Sequence, residues 1–118
     1  MDISIPGVDT VKGLDRCYGD EDHYLMTLLS FADNTSEILG SLRKVSAETL
    51  ENYAAAVKRI KDTSAAIGAE DLREAALKLE ILASAGHLVP VQSETKAFLK
   101  HAETLVNDIR AWLNRNRG

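Results

Sequence analysis

The sequence predicts an all-α protein: an up-and-down antiparallel four-helix bundle with a short N-terminal helix that caps it. Three observations favour this fold. Apolar residues recur every three or four positions through four long segments. No run alternates apolar and polar residues as a half-buried strand would, and no Asn-Gly or Asp-Gly pair marks a hairpin turn. The connections between the segments are short, which favours antiparallel neighbours.

Composition indicates one domain over residues 1–118, and the sequence leaves open whether it is excised from a larger protein. The 14 Lys and Arg against 18 Asp and Glu argue against nucleic-acid binding. No apolar run approaches the roughly 18 residues of a membrane span, so membrane insertion is not expected. The single cysteine, Cys17, has no partner for an internal disulfide, which predicts a cytoplasmic location.

Particular residues predict where the first two helices begin and where the first one ends. Residues 1–8 form a lead-in, Asp9 is placed to cap a short helix and Gly19 to end it. The second helix begins at the acids of 20–22, where a helix N-terminus favours negative charge, and Ser46 is expected to cap the third. The predicted apolar face of the second helix consists of Leu25, Leu28, Leu29, Ala32, Ser36, Leu39, Leu42 and Val45.

The last three helices follow the same pattern. Gly68 and Gly86 are placed to end the third and fourth helices, Pro90 suits the first turn of the fifth, and the tail 114–118 is polar and expected to fray. The third helix has the stripe Leu50, Tyr53, Ala54, Val57, Ile60, Ser64 and Ile67. The fourth has Leu72, Ala75, Ala76, Leu79, Leu82 and Ala83, and the fifth has Phe98, Ala102, Leu105, Ile109, Trp112 and Leu113.

A charged pair interrupts a smooth face of the third helix. At about 100° per residue, this face lies beside the apolar stripe and is flanked by Ala55 and Ala66. Its low relief suits close approach by a partner surface better than burial. The residues that share it are Lys58, Asp62, Ala65 and Ala69.

The order of the elements and the run KRIKD at 58–62, followed by TSAAIGA at 63–69, resemble the histidine phosphotransfer (HPt) domains of bacterial two-component phosphorelays. The family hallmark is a helix carrying His-x-Leu-Lys-Gly. Residues 5–9, 19–21 and 79–80 are also similar to the family, so the resemblance covers essentially the whole chain. It implies a helical bundle that binds the receiver domain of a response regulator.

Two departures from the family pattern change the expected chemistry. Lys58 stands where the family has its phospho-accepting histidine, and Asp62 stands where it has a glycine that lets the receiver approach. Lys61 matches a family lysine that lies beside the phosphate. The resemblance therefore implies no catalytic residue, with a receiver-binding set of Lys58, Lys61, Asp62, Ala65 and Ala69.

A lysine is a poor substitute for the histidine because its nitrogen lone pair carries a proton. An unperturbed lysine amine has a pKa of about 10.4, so roughly one molecule in a few thousand is the free amine at pH 7. Asp62, one turn beyond Lys58, favours the charged form. We therefore expect that the chain itself does not carry phosphate.

Other candidate sites lack support in the sequence. Cys17 is expected to be a packed thiol, and Asp71 and Glu80 to lie on solvated helix faces. No metal-binding spacing and no phosphate-binding glycine loop occurs, so neither metal nor cofactor is predicted. A substitute phospho-acceptor would have to be one of three histidines that lack the family's neighbouring residues: His23, His87 and His101.

Two functions remain open from the sequence. The first is a domain that docks a receiver without exchanging phosphate. The second is a structural or dimerisation bundle, for example a module of a hybrid sensor histidine kinase, that binds no receiver. In the second case Lys58 belongs to a solvated face and contacts Asp62, or is covered by a second copy or another helix. The exposure of Lys58 distinguishes the two. The oligomeric state is not predicted.

Overall fold

A computed structural model describes residues 3–116, so the outer ends of the predicted lead-in and tail, 1–2 and 117–118, lie outside the described residues. The described chain is all-helical and contains no strand, as predicted. It measures 46 × 23 × 18 Å along its principal axes. The five helices are α1 (Thr10–Arg16), α2 (Glu21–Leu42), α3 (Leu50–Ile67), α4 (Glu70–Ser84) and α5 (Leu88–Arg115).

The helices form a bundle around one hydrophobic core. α3 packs against α2 and α4, α5 packs against the same two helices, and α1 packs against α3 and α2. Each long helix contributes an apolar stripe because residues three and four apart share a helix face. The largest fully buried side chains include Tyr24, Phe31, Ile60, Leu79 and Ile109.

The buried face of α2 coincides only in part with the predicted one. Leu25 is partly buried and packs against the core as predicted, whereas Leu29 is 38% exposed and Ser36 is exposed, so the last two predicted core positions are wrong. The spacing of leucines alone missed two aromatic residues, whose larger apolar area favours the core position. The observed buried residues are Tyr24, Leu28, Phe31, Ala32, Thr35, Leu39 and Leu42.

Side-chain caps begin the first two helices, as predicted for Asp9, and α2 begins at the acids of 20–22 as expected. The Asp9 carboxylate accepts a hydrogen bond from the Lys12 amide at 3.0 Å, and the Asp20 carboxylate accepts one from the His23 amide at 3.1 Å. The predicted cap at Ser46 is wrong, because α3 begins three residues later with Thr49 as its N-cap. The Thr49 hydroxyl accepts from the Ser46 amide instead, so it makes no capping bond to α3.

α1 lies across the turn between α3 and α4. Gly68 ends α3 in the left-handed conformation, with φ +87°, as predicted, and its carbonyl accepts a hydrogen bond from the Asp9 amide at 2.8 Å. A Cβ at Gly68 would lie 2.2 Å from the Asp9 carbonyl oxygen, and one at Gly13 would lie 2.4 Å from the Ile67 carbonyl oxygen. Two glycines therefore allow α1 to approach this turn closely.

Both ends of the described chain are more ordered than predicted. The predicted lead-in packs on the core, because Ile3 and Ile5 are buried and the Thr10 hydroxyl donates to the Ile3 carbonyl at 2.8 Å. At the other end α5 continues through Arg115, so the first two residues of the predicted frayed tail are helical. Trp112, buried in the last turns of α5, holds this end against the core.

Candidate docking surface

Lys58 is exposed on α3 and has no hydrogen bond or ion pair with any other residue in 3–116. Its neighbours on the helix surface have small side chains. Ala55 is exposed, and Ala54 and Ala65 are partly buried. No ion pair joins Lys58 to Asp62 although they are one turn apart, so the contact expected for a solvated face is absent. The ammonium group of Lys58 therefore stands alone on a face of low relief.

Lys61 is engaged with α4. Its Nζ donates to Glu80 Oε1 at 2.6 Å, and the two side chains are only 22% and 20% exposed. The expectation that Glu80 lies on an ordinary solvated face is therefore wrong. The sequence contained no signal for this pair because the partners lie on different helices, 19 residues apart. Since Lys61 is already paired, the α3 cations within 3–116 that have no ion pair are Lys58 and its neighbour Arg59, both exposed.

The other three residues of the predicted set occupy different environments. Asp62 is exposed, whereas Ala69 is 0% exposed and serves as the N-cap of α4. The helical spacing that placed Ala69 beside Lys58 does not apply, because Gly68 turns the chain one residue earlier. Ala65 is partly buried, and its carbonyl accepts a hydrogen bond from Arg16 of α1. The exposed surface is therefore centred on Lys58 and Asp62, and α1 borders it at Ala65.

A cluster of charged side chains around Glu70 holds α1 next to the α3 surface. Glu70 Oε1 lies 3.7 Å from Lys12 Nζ and 3.5 Å from Arg16 Nη1, and Glu70 Oε2 accepts a hydrogen bond from Arg73 Nε at 2.8 Å. The hydrogen bond from Arg73 holds the pKa of the Glu70 carboxyl below its usual range, against an opposing effect of burial, and the charge of Lys12 adds to the lowering. The sequence showed Glu70 only as an acid in the first turn of a helix. Its ion pairs with Lys12 and Arg16 join α1 to α4.

The remaining candidate groups are dispersed. Cys17 is a buried free thiol that lies 5% exposed, as expected for a packed cysteine. His23, His87 and His101 are all exposed, and none of them is on α3. Within residues 3–116 no group of three His, Cys, Asp or Glu side chains could hold a metal ion. In the same part of the chain, no helix combines the length and apolar character needed to cross a membrane.

The arrangement allows recognition of a negatively charged surface. One unpaired ammonium group stands on a helix face with small neighbours, and no activated nucleophile is evident beside it on α3. Comparisons with family models, with curated proteins and with solved structures found no match for the chain.

Proposed function

We propose that this chain is an HPt-like domain that binds a response-regulator receiver domain through the α3 surface around Lys58 and does not carry phosphate. In the family that the sequence resembles, receiver domains present an acidic phosphorylation pocket at the docking face. An ammonium group with no other partner is complementary to such a pocket. The single observation that carries the proposal is the exposed, unpaired Lys58 among alanines.

The neighbouring charges predict how the surface responds to substitution. Lys58→Ala is expected to weaken receiver binding about fivefold to tenfold, as for a partly exposed charge at an interface. Asp62→Ala is expected to strengthen binding, because it removes a negative charge and side-chain bulk from the approach path. Lys100→Ala is a matched control, since Lys100 is an exposed lysine on α5, away from the α3 surface.

The decisive experiment mixes the chain with each phosphorylated, radiolabelled receiver domain encoded in the same genome. Binding is measured by isothermal titration calorimetry with the unphosphorylated receivers, and transfer is measured by the label on this chain. We expect binding without label. Label on the wild-type chain would refute the absence of transfer, and no binding to any receiver would refute docking.

A substitution that restores the family pattern tests the surface independently. The double variant Lys58→His/Asp62→Gly places an imidazole where the ammonium group stands and removes the bulk one turn away. If a receiver docks as proposed, its aspartyl phosphate can pass the phosphoryl group to the imidazole nitrogen, and the variant acquires label. A variant that is folded, binds the receiver and stays unlabelled would contradict the proposed orientation of docking.

We also propose that α2 to α5 alternate up and down and that the protein works in the cytoplasm. The connections between α3 and α4 and between α4 and α5 span only 68–69 and 85–87, which favours antiparallel neighbours. A free, buried Cys17 is compatible with a reducing compartment. Amide NOE patterns between the helices test the topology, and fractionation of the native cells tests the location.

A second candidate is the structural or dimerisation bundle. It is favoured by an apolar hollow between α2 and α5, where Met26 is 71% and Leu29 is 38% exposed beside Trp112 and Leu113. This function predicts a dimer in sedimentation equilibrium that Met26→Glu dissociates. A monomeric wild-type chain that binds a receiver would exclude it.

A further inference from the structure

A groove separate from the α3 surface lies between the connection from α2 to α3 and the first half of α5. Its volume is about 580 Å³, within the range of small-molecule sites. The Gln92 amide nitrogen donates to the Val45 carbonyl at 3.0 Å, which tethers the connection to α5. The groove is lined by Arg43, Lys44, Val45, Gln92, Thr95, Lys96 and Leu99.

The charge of this groove is opposite to that of the whole chain. Of the residues in 3–116, three cations and no carboxylate line it, although the formal net charge of the protein is −4. Lys44 and Lys96 are exposed and have no hydrogen bond or ion pair with any other residue in 3–116. Arg43 pairs with Glu103 at 2.5 Å, but both side chains are about half exposed, so this pair contributes little stability and can exchange for another anion.

The positive region is short along α5. Glu94 lies between Gln92 and Thr95 in the sequence and pairs with Lys78 of α4, and Glu103 follows Leu99 by one turn and pairs with Arg43. An extended polyanion such as a nucleic acid would meet these acids along α5, whereas a compact ligand can contact the cations of the groove alone.

The groove also offers apolar contacts. Val45 is partly buried and Leu99 is 8% exposed, so two aliphatic side chains lie among the cations. We propose that this groove binds a small organic polyanion, with its phosphate or carboxylate groups on Arg43, Lys44 and Lys96 and its apolar part on Val45 and Leu99. The proposal does not depend on receiver docking, since none of these residues lies on α3.

Binding can be followed by amide chemical shifts of the full chain. The probes are ATP as an organic polyanion, inorganic tripolyphosphate as the same charge without an apolar part, and adenosine as the apolar part without charge. We expect saturable shifts at Val45, Gln92 and Leu99 with ATP, several-fold weaker binding of tripolyphosphate, and no saturation with adenosine. Binding should weaken as ionic strength rises.

A matched pair of charge reversals tests the location. Lys96→Glu and Arg59→Glu change the net charge equally at exposed helix positions, but only Lys96 lines the groove. Lys96→Glu is expected to weaken ATP binding about tenfold and Arg59→Glu less than about twofold. Equal weakening by both variants, adenosine binding as tight as ATP, tripolyphosphate binding as tight as ATP, or no saturable shifts with ATP would each overturn the proposal.

Discussion

Gly68→Ala is predicted to destabilise the protein through two separable effects. The first is conformational, because an alanine at φ +87° costs about 1–2 kcal/mol in the left-handed region. The second is steric, because the new Cβ would lie 2.2 Å from the Asp9 carbonyl oxygen. Relieving that overlap moves the two backbone segments apart and breaks the hydrogen bond from the Asp9 amide, which contributes about 1 kcal/mol. The expected total is about 2–4 kcal/mol.

Gly86→Ala provides the control. Gly86 has φ +80°, similar to Gly68, but a Cβ there would have no heavy atom within 4 Å. Gly86→Ala is therefore expected to lose stability through the conformational effect alone. Urea denaturation of both variants should show Gly68→Ala to be less stable by about 1 kcal/mol or more, since the denaturation slope converts the midpoint into free energy.

A second measurement tests whether the loss of stability in Gly68→Ala comes from the separation of α1. If α1 separates from the turn, the buried Cys17 at its C-terminal end becomes accessible, so Gly68→Ala should react faster with a thiol reagent under native conditions than Gly86→Ala. Equal stability of the two variants, together with equal thiol reactivity, would refute the close packing of α1 on the turn between α3 and α4.

Two further predictions concern buried polar groups and ion pairs. Burial, with smaller electrostatic contributions from Cys17 and Asp9, raises the pKa of Tyr24 to about 12, so its contribution to stability is complete well below pH 10 and is lost as the pH rises through 12. The difference in unfolding free energy between wild type and Tyr24→Phe should therefore fall by about 2 kcal/mol between pH 10 and pH 12, and a pH-independent difference would contradict the burial of this hydroxyl. A double-mutant cycle with Lys61→Met and Glu80→Gln should give a coupling of about 1 kcal/mol, whereas Lys78→Met and Glu94→Gln, a pair that is 66% and 38% exposed, should give less than about 0.5 kcal/mol. Equal couplings would show that the partial burial of the first pair has no energetic effect.

The sequence by itself determined the helices and most of their boundaries. The cap at Asp9, the acids that begin α2, the left-handed end of α3 at Gly68 and the stripe of α3 all follow from interactions within a few residues of the chain. The placement of Lys58 beside the apolar stripe of α3, and not within it, belongs to the same group. It follows from the helical period of α3 once the apolar stripe is assigned to the core.

Only the tertiary structure decided which side chains the packed helices bring together. The pairing of Lys61 with Glu80, the approach of Gly13 to Ile67 and the cluster at Glu70 each join separate elements, so helical periodicity carries no signal for them. The same limit explains the predicted surface position of Ala69, because one left-handed residue at Gly68 changes the direction of the chain. Local backbone preferences fix the helices, whereas the neutralisation of Lys61 and the isolation of Lys58 depend on how those helices pack.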